Sequence, residues 1–311
     1  MFVFLDSLKG LCRLVVIVAV FVAVSSAFVT PSFAAKAELI TIAVLDGDEL
    51  TGSMAEPAAL FVDEAKKRLY VADTVNNRLI SFDKDLVFIA ALTHDNFKLP
   101  LSVGKLKSGE FFITDASDGA LKLINIKDKL ITTFNIKGLK AAAEEFMPGR
   151  FAMDDGGNLY IVDKLNKRIV VADKDGNYQR SITAKGKSVY GFNDVRVDAK
   201  GYVYAVDTVG ATIYIFNEKG ALVTRFGGKG GEAGLVFPVS VAINSKGLIY
   251  VAERYLSQIM VYNRFGALQF TLLSKGVTPG EIYHPSYIYI DKSDIIYTID
   301  GARVQVFKEK R

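Results

Sequence analysis

Six carboxylates recur at one place in a periodic pattern: Asp73, Asp115, Asp163, Asp207, Glu253 and Asp300. Each closes a short apolar run, such as Leu69-Tyr70-Val71-Ala72-Asp73 or Ile249-Tyr250-Val251-Ala252-Glu253. Acids so repeated could do one of two things. Gathered around an axis, they would hold a divalent cation such as Ca2+, which takes oxygen ligands. Kept apart, each would accept backbone N–H groups of the loop that follows, as short acidic side chains do in turns. The second fits better, because every repeat needs the same turn. Asn76 and Asn166 read as turn residues that tolerate left-handed backbone angles, and Arg78 and Arg168 as partners of the neighbouring acids.

Positions where the repeats disagree are a different kind of candidate. Two residues into each unit stand Ala59, Ser102, Arg150, Asp194, Ser240 and Tyr287. No turn or strand rule demands a particular residue there, so the variation is expected to encode a ligand or partner near one mouth of the assembly. Arg150 and Asp194, on adjacent units, could instead pair with each other. Tyr255 and Tyr283 add aromatic surface nearby, suited to recognition. The chain has two histidines, His94 and His284, and no motif ties either to a nucleophile. The glycines from Gly227 to Gly234 resemble a phosphate loop only superficially. They lack the Gly-Lys-Ser/Thr ending and lie between two strands, with no helix start to bind an anion.

The elements that must position these residues repeat. Units open at Pro57, Pro100, Pro148, Phe192, Pro238 and Pro285, with spacings of 43, 48, 44, 46 and 47 residues. Each begins with a strand ending near an acid or amide, as in Val195-Arg196-Val197-Asp198 or Val241-Ala242-Ile243-Asn244. A tight turn follows, then the strand carrying the carboxylate, then a third strand. A fourth closes the first five units. Four short strands at this period match propeller blades. The last unit ends after its third strand, while Leu39 to Val44 is an orphan strand ahead of the first. The expected fold is therefore all-β: a six-bladed β-propeller of four-stranded blades over residues 35–311, closed by the strand after the leader. Closure removes unpaired edges that invite aggregation. The longest insertion, Gly138 to Met147, has helix-forming composition at Ala141 to Phe146.

Composition bounds the function classes. Half of the 311 residues are hydrophobic, with 21 Phe and 14 Tyr, and the net charge is only +4. That surplus is too small for a dedicated nucleic-acid binder, so no nucleic-acid partner is expected. Lys9 and Arg13, the apolar run Leu14 to Val24 and Ser32-Phe33-Ala34 read as a signal peptide over residues 1–34, cleaved near Ala34. A periplasmic or secreted protein follows, a monomer with no membrane span in the mature chain. The single cysteine, Cys12, lies in the leader. The mature chain then has no disulfide and no thiolate metal site.

The passage Leu69-Tyr70-Val71-Ala72-Asp73-Thr74-Val75-Asn76-Asn77-Arg78-Leu79-Ile80-Ser81-Phe82 resembles the NHL repeat. Unit three matches at Asp163, Asn166 and Arg168. Unit four keeps Asp207 but has Gly210 and Thr212 in place of Asn and Arg. Units two, five and six keep the acid and the strand pattern. The resemblance implies a propeller and leaves the task open, because such propellers serve many ends. Amidating lyases of similar look use several histidines on zinc, and two are too few here. Lactonase-like propellers use calcium held by Glu, Asn and Asp, for which Asn193, Asn244, Glu253 and the ring aspartates would serve.

The leading expectation is a non-catalytic scaffold that binds a protein, peptide or glycan through loops at one channel mouth, without a cofactor. Alanine at Arg150, Asp194 and Tyr287 would then weaken capture and leave thermal stability nearly unchanged. The alternative is a calcium-dependent lactonase- or lyase-like enzyme with carboxylates at the same mouth.

Overall fold

A computed structural model describes residues 38–139, 145–186 and 189–310. The expected leader and the centre of the Gly138 to Met147 insertion lie outside these. Among the described residues no helix is long and apolar enough to cross a membrane.

The fold is a six-bladed β-propeller of antiparallel four-stranded sheets. The innermost strands are Pro57–Asp63, Pro100–Lys105, Pro148–Met153, Asp194–Val197, Pro238–Ile243 and Pro285–Ile290. The second strands end on the six acids, as in Arg68–Asp73 and Ile249–Glu253. Blade six holds three C-terminal strands and is completed by Leu39–Leu45, which pairs antiparallel with Arg303–Glu309 from Leu39↔Glu309 to Leu45↔Val304. The expected closure of the ring is what the structure has.

The packing explains why the second strands read as unbroken apolar runs instead of alternating. Each sheet is covered on both faces by its neighbours, so Leu159–Asp163, Val203–Asp207 and Ile249–Glu253 are buried at every position. Outermost strands meet solvent, as at Leu222–Gly227. The core is split accordingly. One apolar cluster joins blades six and one through Leu45, Phe82, Tyr297 and Val304. Others join blades three and four, four and five, five and six, one and two, and two and three. Each fully buried side chain of this kind, such as Phe82 or Ile80, contributes about 1.5–3 kcal/mol.

The acid or amide after the innermost strand organises the turn on one face of the disc. Asp198 Oδ1 accepts the N–H groups of Lys200 and Tyr202, and its Oδ2 accepts the Tyr204 hydroxyl. Asp154 and Asp291 build the same unit with Tyr160 and Tyr297, and Asn244 builds it with the last bond reversed, its amide donating to the Tyr250 hydroxyl. The opposite face carries the loops that follow the six carboxylates and the segments entering each blade.

Candidate functional site

The six carboxylates are clasps. Each accepts an N–H from the segment that enters its own blade: Asp73 from Ala55 at 2.7 Å, Asp115 from Lys98 at 2.8 Å, Asp163 from Met147 at 3.4 Å, Asp207 from Tyr190 at 2.9 Å and Asp300 from Tyr283 at 2.7 Å. Glu253, one methylene longer, takes two, from Val236 and Phe237. Donors from the following loop also arrive, from Ser117, Asn166 and Gly210. The acids thus tie the approach segment to the loop after the second strand.

The neighbouring cations complete the clasp. Arg78 Nε sits 2.5 Å from Asp73 and its two other nitrogens donate to the carbonyls of Thr51 and Gly52. Arg168 Nε lies 2.9 Å from Asp163. In blade two Lys122 bonds Asp115, Asp118 and the Asn96 carbonyl. Burial alone would raise the Asp115 carboxyl, but Lys122 and Ser117 outweigh it and hold it below the usual range. The left-handed backbone expected at Asn76 and Asn166 belongs to the next residue, with φ of 53° at Asn77 and 51° at Lys167. The asparagines instead donate their amides to Asp73 and Asp163 at 2.9 Å. Where Gly210 replaces asparagine, its own N–H donates to Asp207 at 2.8 Å. A Cβ there would stand 2.7 Å from the carboxylate, so glycine is what that approach requires.

A calcium site does not fit these residues. Among the described residues no group of three or more His, Cys, Asp and Glu is placed to hold a metal ion, and the six acids are each engaged by backbone. Asn244 shapes a turn at the far end of blade five from Glu253. The five-residue strand between them is about 13–17 Å long at 3.3–3.4 Å per residue.

The set two residues into each unit departs most from expectation. Ala59, Ser102, Arg150, Asp194, Ser240 and Tyr287 are all buried, none more than 8% exposed. They do not form an open mouth; they fill the channel and sew the innermost strands together. Arg150 of blade three spans the axis: its guanidinium donates to the carbonyls of Ala58 in blade one, Ser286 in blade six and Val239 in blade five, at 2.9–3.1 Å. The Tyr287 ring has Arg150 Cζ 4.9 Å and Arg196 Cζ 4.6 Å from its centroid, and its hydroxyl donates to Leu60. Asp194 pairs with Arg196 at 3.3 Å, not with Arg150, and accepts the Ser240 hydroxyl at 2.6 Å and the Val241 N–H. Ser102 accepts the Phe151 N–H.

A β-bulge just past the opening proline places these residues. It recurs at Pro57/Ala59, Pro100/Ser102, Pro238/Ser240 and Pro285/Tyr287, and a bulge re-aims the side chain it displaces. Adjacent innermost strands share no ladder, so side chains must supply the cross-links. Six equivalent positions that converge on one axis cannot all hold large residues. They differ because they complement one another.

The face in front of this plug carries the exposed residues. After the acids stand Val75, Leu165, Val209 and Tyr255, each 50–57% exposed. Before the innermost strands stand Leu99, Met147, Tyr190, Val236 and Tyr283, at 37–51%. The opposite face shows Val87, Ile126 and Phe265. Tyr255 stacks on Phe237 at 4.4 Å, and Tyr283 on His284 at 4.2 Å. Lysines lie over two of the tyrosines, Lys275 over Tyr283 and Lys229 over Tyr190. His94 sits at the perimeter, where it accepts the Asn96 N–H through Nδ1. A polar cavity of about 430 Å3 nearby is lined by Asp95, Asn96, Asp118 and Lys122, whose ammonium already supplies the cation.

Sequence reasoning passed over the residue directly after each acid: Thr74, Ala116, Lys164, Thr208, Arg254 and Gly301. None is acidic and two are cations. The signal was available in the alignment of the repeats, beside the acids that drew attention. The Lys164 stem lies against Gly149 of the innermost strand, where a Cβ would meet its Cε at 2.9 Å. Desolvation and the nearby Arg150 push the Lys164 ammonium below its ordinary value. Burial likewise pushes Arg150 down, with Asp194 opposing and Arg196 and Arg254 adding to the effect.

Neither a protein-family model nor a curated protein sequence matches the chain. Solved structures do. Virginiamycin B lyase from Staphylococcus aureus is similar with a TM-score of 0.61 and 12% identity, over 82% of this chain and 81% of that one. A catalytically inactive form of that lyase with Quinupristin gives 0.61 and 11%, over 83% and 82%. A streptogramin B lyase gives 0.62 and 10%, over 88% and 98%. At these identities the likeness is one of fold.

Proposed function

We propose that the loop face in front of the plugged channel is a ligand-binding site for a peptide or similar molecule with aromatic or apolar surface. The observation that carries this is the contrast between the two faces. Among the described residues, the loop face presents Leu256 and the nine residues named above at 37–57% exposure, two of them tyrosines in aromatic stacks, against Val87, Ile126 and Phe265 in the turns of the other. Such a concentration marks interaction surface, and tyrosines held by a rigid scaffold bind at low entropic cost. The NHL-like motif and the leader fit an exported member of the propeller group. The test is a titration with aromatic probes followed through the backbone amides. Replacing Tyr255 and Tyr283 by serine should weaken binding at least fivefold with the melting temperature within about 2 °C of wild type. Unchanged affinity in that variant refutes the proposal.

A second reading has the comparisons behind it: a lyase-like enzyme acting at the same face. The similar solved structures are lyases, and they lend no support to a purely non-catalytic scaffold. His284 would be the proton acceptor, since its ring lies against Tyr283 and within 6.4 Å of Tyr255, on the face where a ligand would rest. Carboxylate-held calcium has no part in it, because the six acids are engaged by backbone N–H groups. Quinupristin, the compound bound by one neighbour, is a direct probe. A mass-detected product that disappears in His284→Ala supports turnover, and intact compound after prolonged incubation removes this substrate from consideration.

A further inference from the structure

The channel axis holds more positive than negative charge. Arg150 is buried at the axis, and Arg196, its side chain 11% exposed, lies beside it with one carboxylate, Asp194, which is already committed to Arg196, Ser240 and the Val241 N–H. In front of them, three consecutive blades place Lys164, Thr208 and Arg254 at the equivalent position after the clasp acid. Lys164 N–H donates to Met147 and Arg254 N–H to Phe237, so the two loops are built alike. Among the described residues neither the Lys164 ammonium nor the Arg254 guanidinium has a hydrogen-bond or ion-pair partner, in contrast to Arg78, Lys122 and Arg303. The other three blades contribute Thr74, whose hydroxyl is tied to the Pro100 carbonyl, and the side-chain-poor Ala116 and Gly301.

Thr208 supplies an independent sign. It is 8% exposed, and its hydroxyl has no partner among the described residues. Its counterpart Thr74 is satisfied by the next blade. A buried hydroxyl left unpaired, on the blade between those of two unpaired cations, is costly unless something accepts from it. An oxyanion is the kind of group that each of these donors could bond.

We propose that Lys164, Thr208 and Arg254, backed by the channel-spanning Arg150, form an anion seat that anchors a carboxylate or similar oxyanion of the ligand, with the ligand's apolar part on the tyrosine rim. This deepens the mouth-binding reading and rests on it. The seat gives orientation, and the rim gives contact area. Carboxylate and phosphate share the chemistry, so the probe is chosen for its neutral twin.

The experiment titrates the protein with 2-naphthoate and with 2-naphthamide, which has the same ring and no charge. The wild type should bind the carboxylate at least tenfold more tightly than the amide. The Lys164→Met/Arg254→Met variant should bind both alike, at the wild-type affinity for the amide, and 1 M NaCl should erase most of the wild-type preference. Thr208→Val should lose about threefold for the carboxylate alone. Equal binding of the two probes by the wild type overturns the seat and leaves the mouth reading standing. Binding of neither overturns both. A preference that survives Lys164→Met/Arg254→Met overturns the residue assignment.

Discussion

Replacing Arg150 with methionine should be one of the most damaging single substitutions in this protein. The guanidinium makes three hydrogen bonds to carbonyls on three other blades and packs over the Tyr287 ring. Charge-assisted hydrogen bonds contribute about 1.5–3 kcal/mol each, so simple addition gives roughly 5–9 kcal/mol. Methionine removes a desolvated charge, which offsets part of that, and breaking a buried charged network measures about 3–5 kcal/mol. Large domains lose about 2–4 °C of melting temperature per kcal/mol. Arg150→Met should therefore melt roughly 10 °C lower by circular dichroism. Arg150→Lys, a point charge that cannot bridge three carbonyls, should recover less than half. The triple alanine at Arg150, Asp194 and Tyr287, expected from sequence to spare stability, should instead unfold the ring at ordinary temperature. A melting temperature within about 2 °C of wild type for Arg150→Met would refute the role given to the plug.

Other perturbations follow from the clasps and the closure. Gly210→Ala puts a Cβ 2.7 Å from the Asp207 carboxylate and should cost about 1–3 kcal/mol in urea unfolding. Asp115→Asn removes the buried one of the two acidic partners of Lys122 in blade two and should cost about 3 kcal/mol near neutrality. The Asp115 carboxyl is held low and the Lys122 ammonium is raised, although burial opposes each shift. Wild type's advantage over Asp115→Asn should therefore fade as pH falls through the folded carboxyl value, below the ordinary Asp value of about 3.9. It should fade again as pH rises through the folded ammonium value, above the ordinary Lys value of about 10.4. Deletion through Leu45 exposes the Arg303–Glu309 edge and should produce oligomers in size-exclusion chromatography; a monomer with unchanged melting would contradict the closure.

The ring was legible in the sequence because each blade solves the same local problem. Proline opens the innermost strand in five blades, an acid closes the second in all six, and a turn residue tightens the far end, so the solution is written again and again along the chain. The closing strand was legible too, since a blade with three strands and a spare strand at the other end have one economical arrangement. The site was less legible for a physical reason. Residues that meet on the axis, such as Arg150, Asp194 and Tyr287, come from blades 44–137 residues apart, and their complementarity exists only once the ring is shut. Variation there looked like ligand reading, and the structure buries all six residues against one another's strands. The exposed tyrosines were anticipated because surface aromatics stand out singly, whereas Lys164 and Arg254 gain meaning only from the unpaired Thr208 hydroxyl and the buried Arg150 behind them.

The claim that a ligand rests on the loop face, in front of a sealed channel, can be tested by mapping amide shifts on titration with 2-naphthoate. The account predicts movement at Lys164, Arg254, Tyr255 and Tyr283, with Gly109, Gly157, Gly201 and Gly247 in the turns of the opposite face unmoved. Shifts concentrated at those four glycines would contradict it.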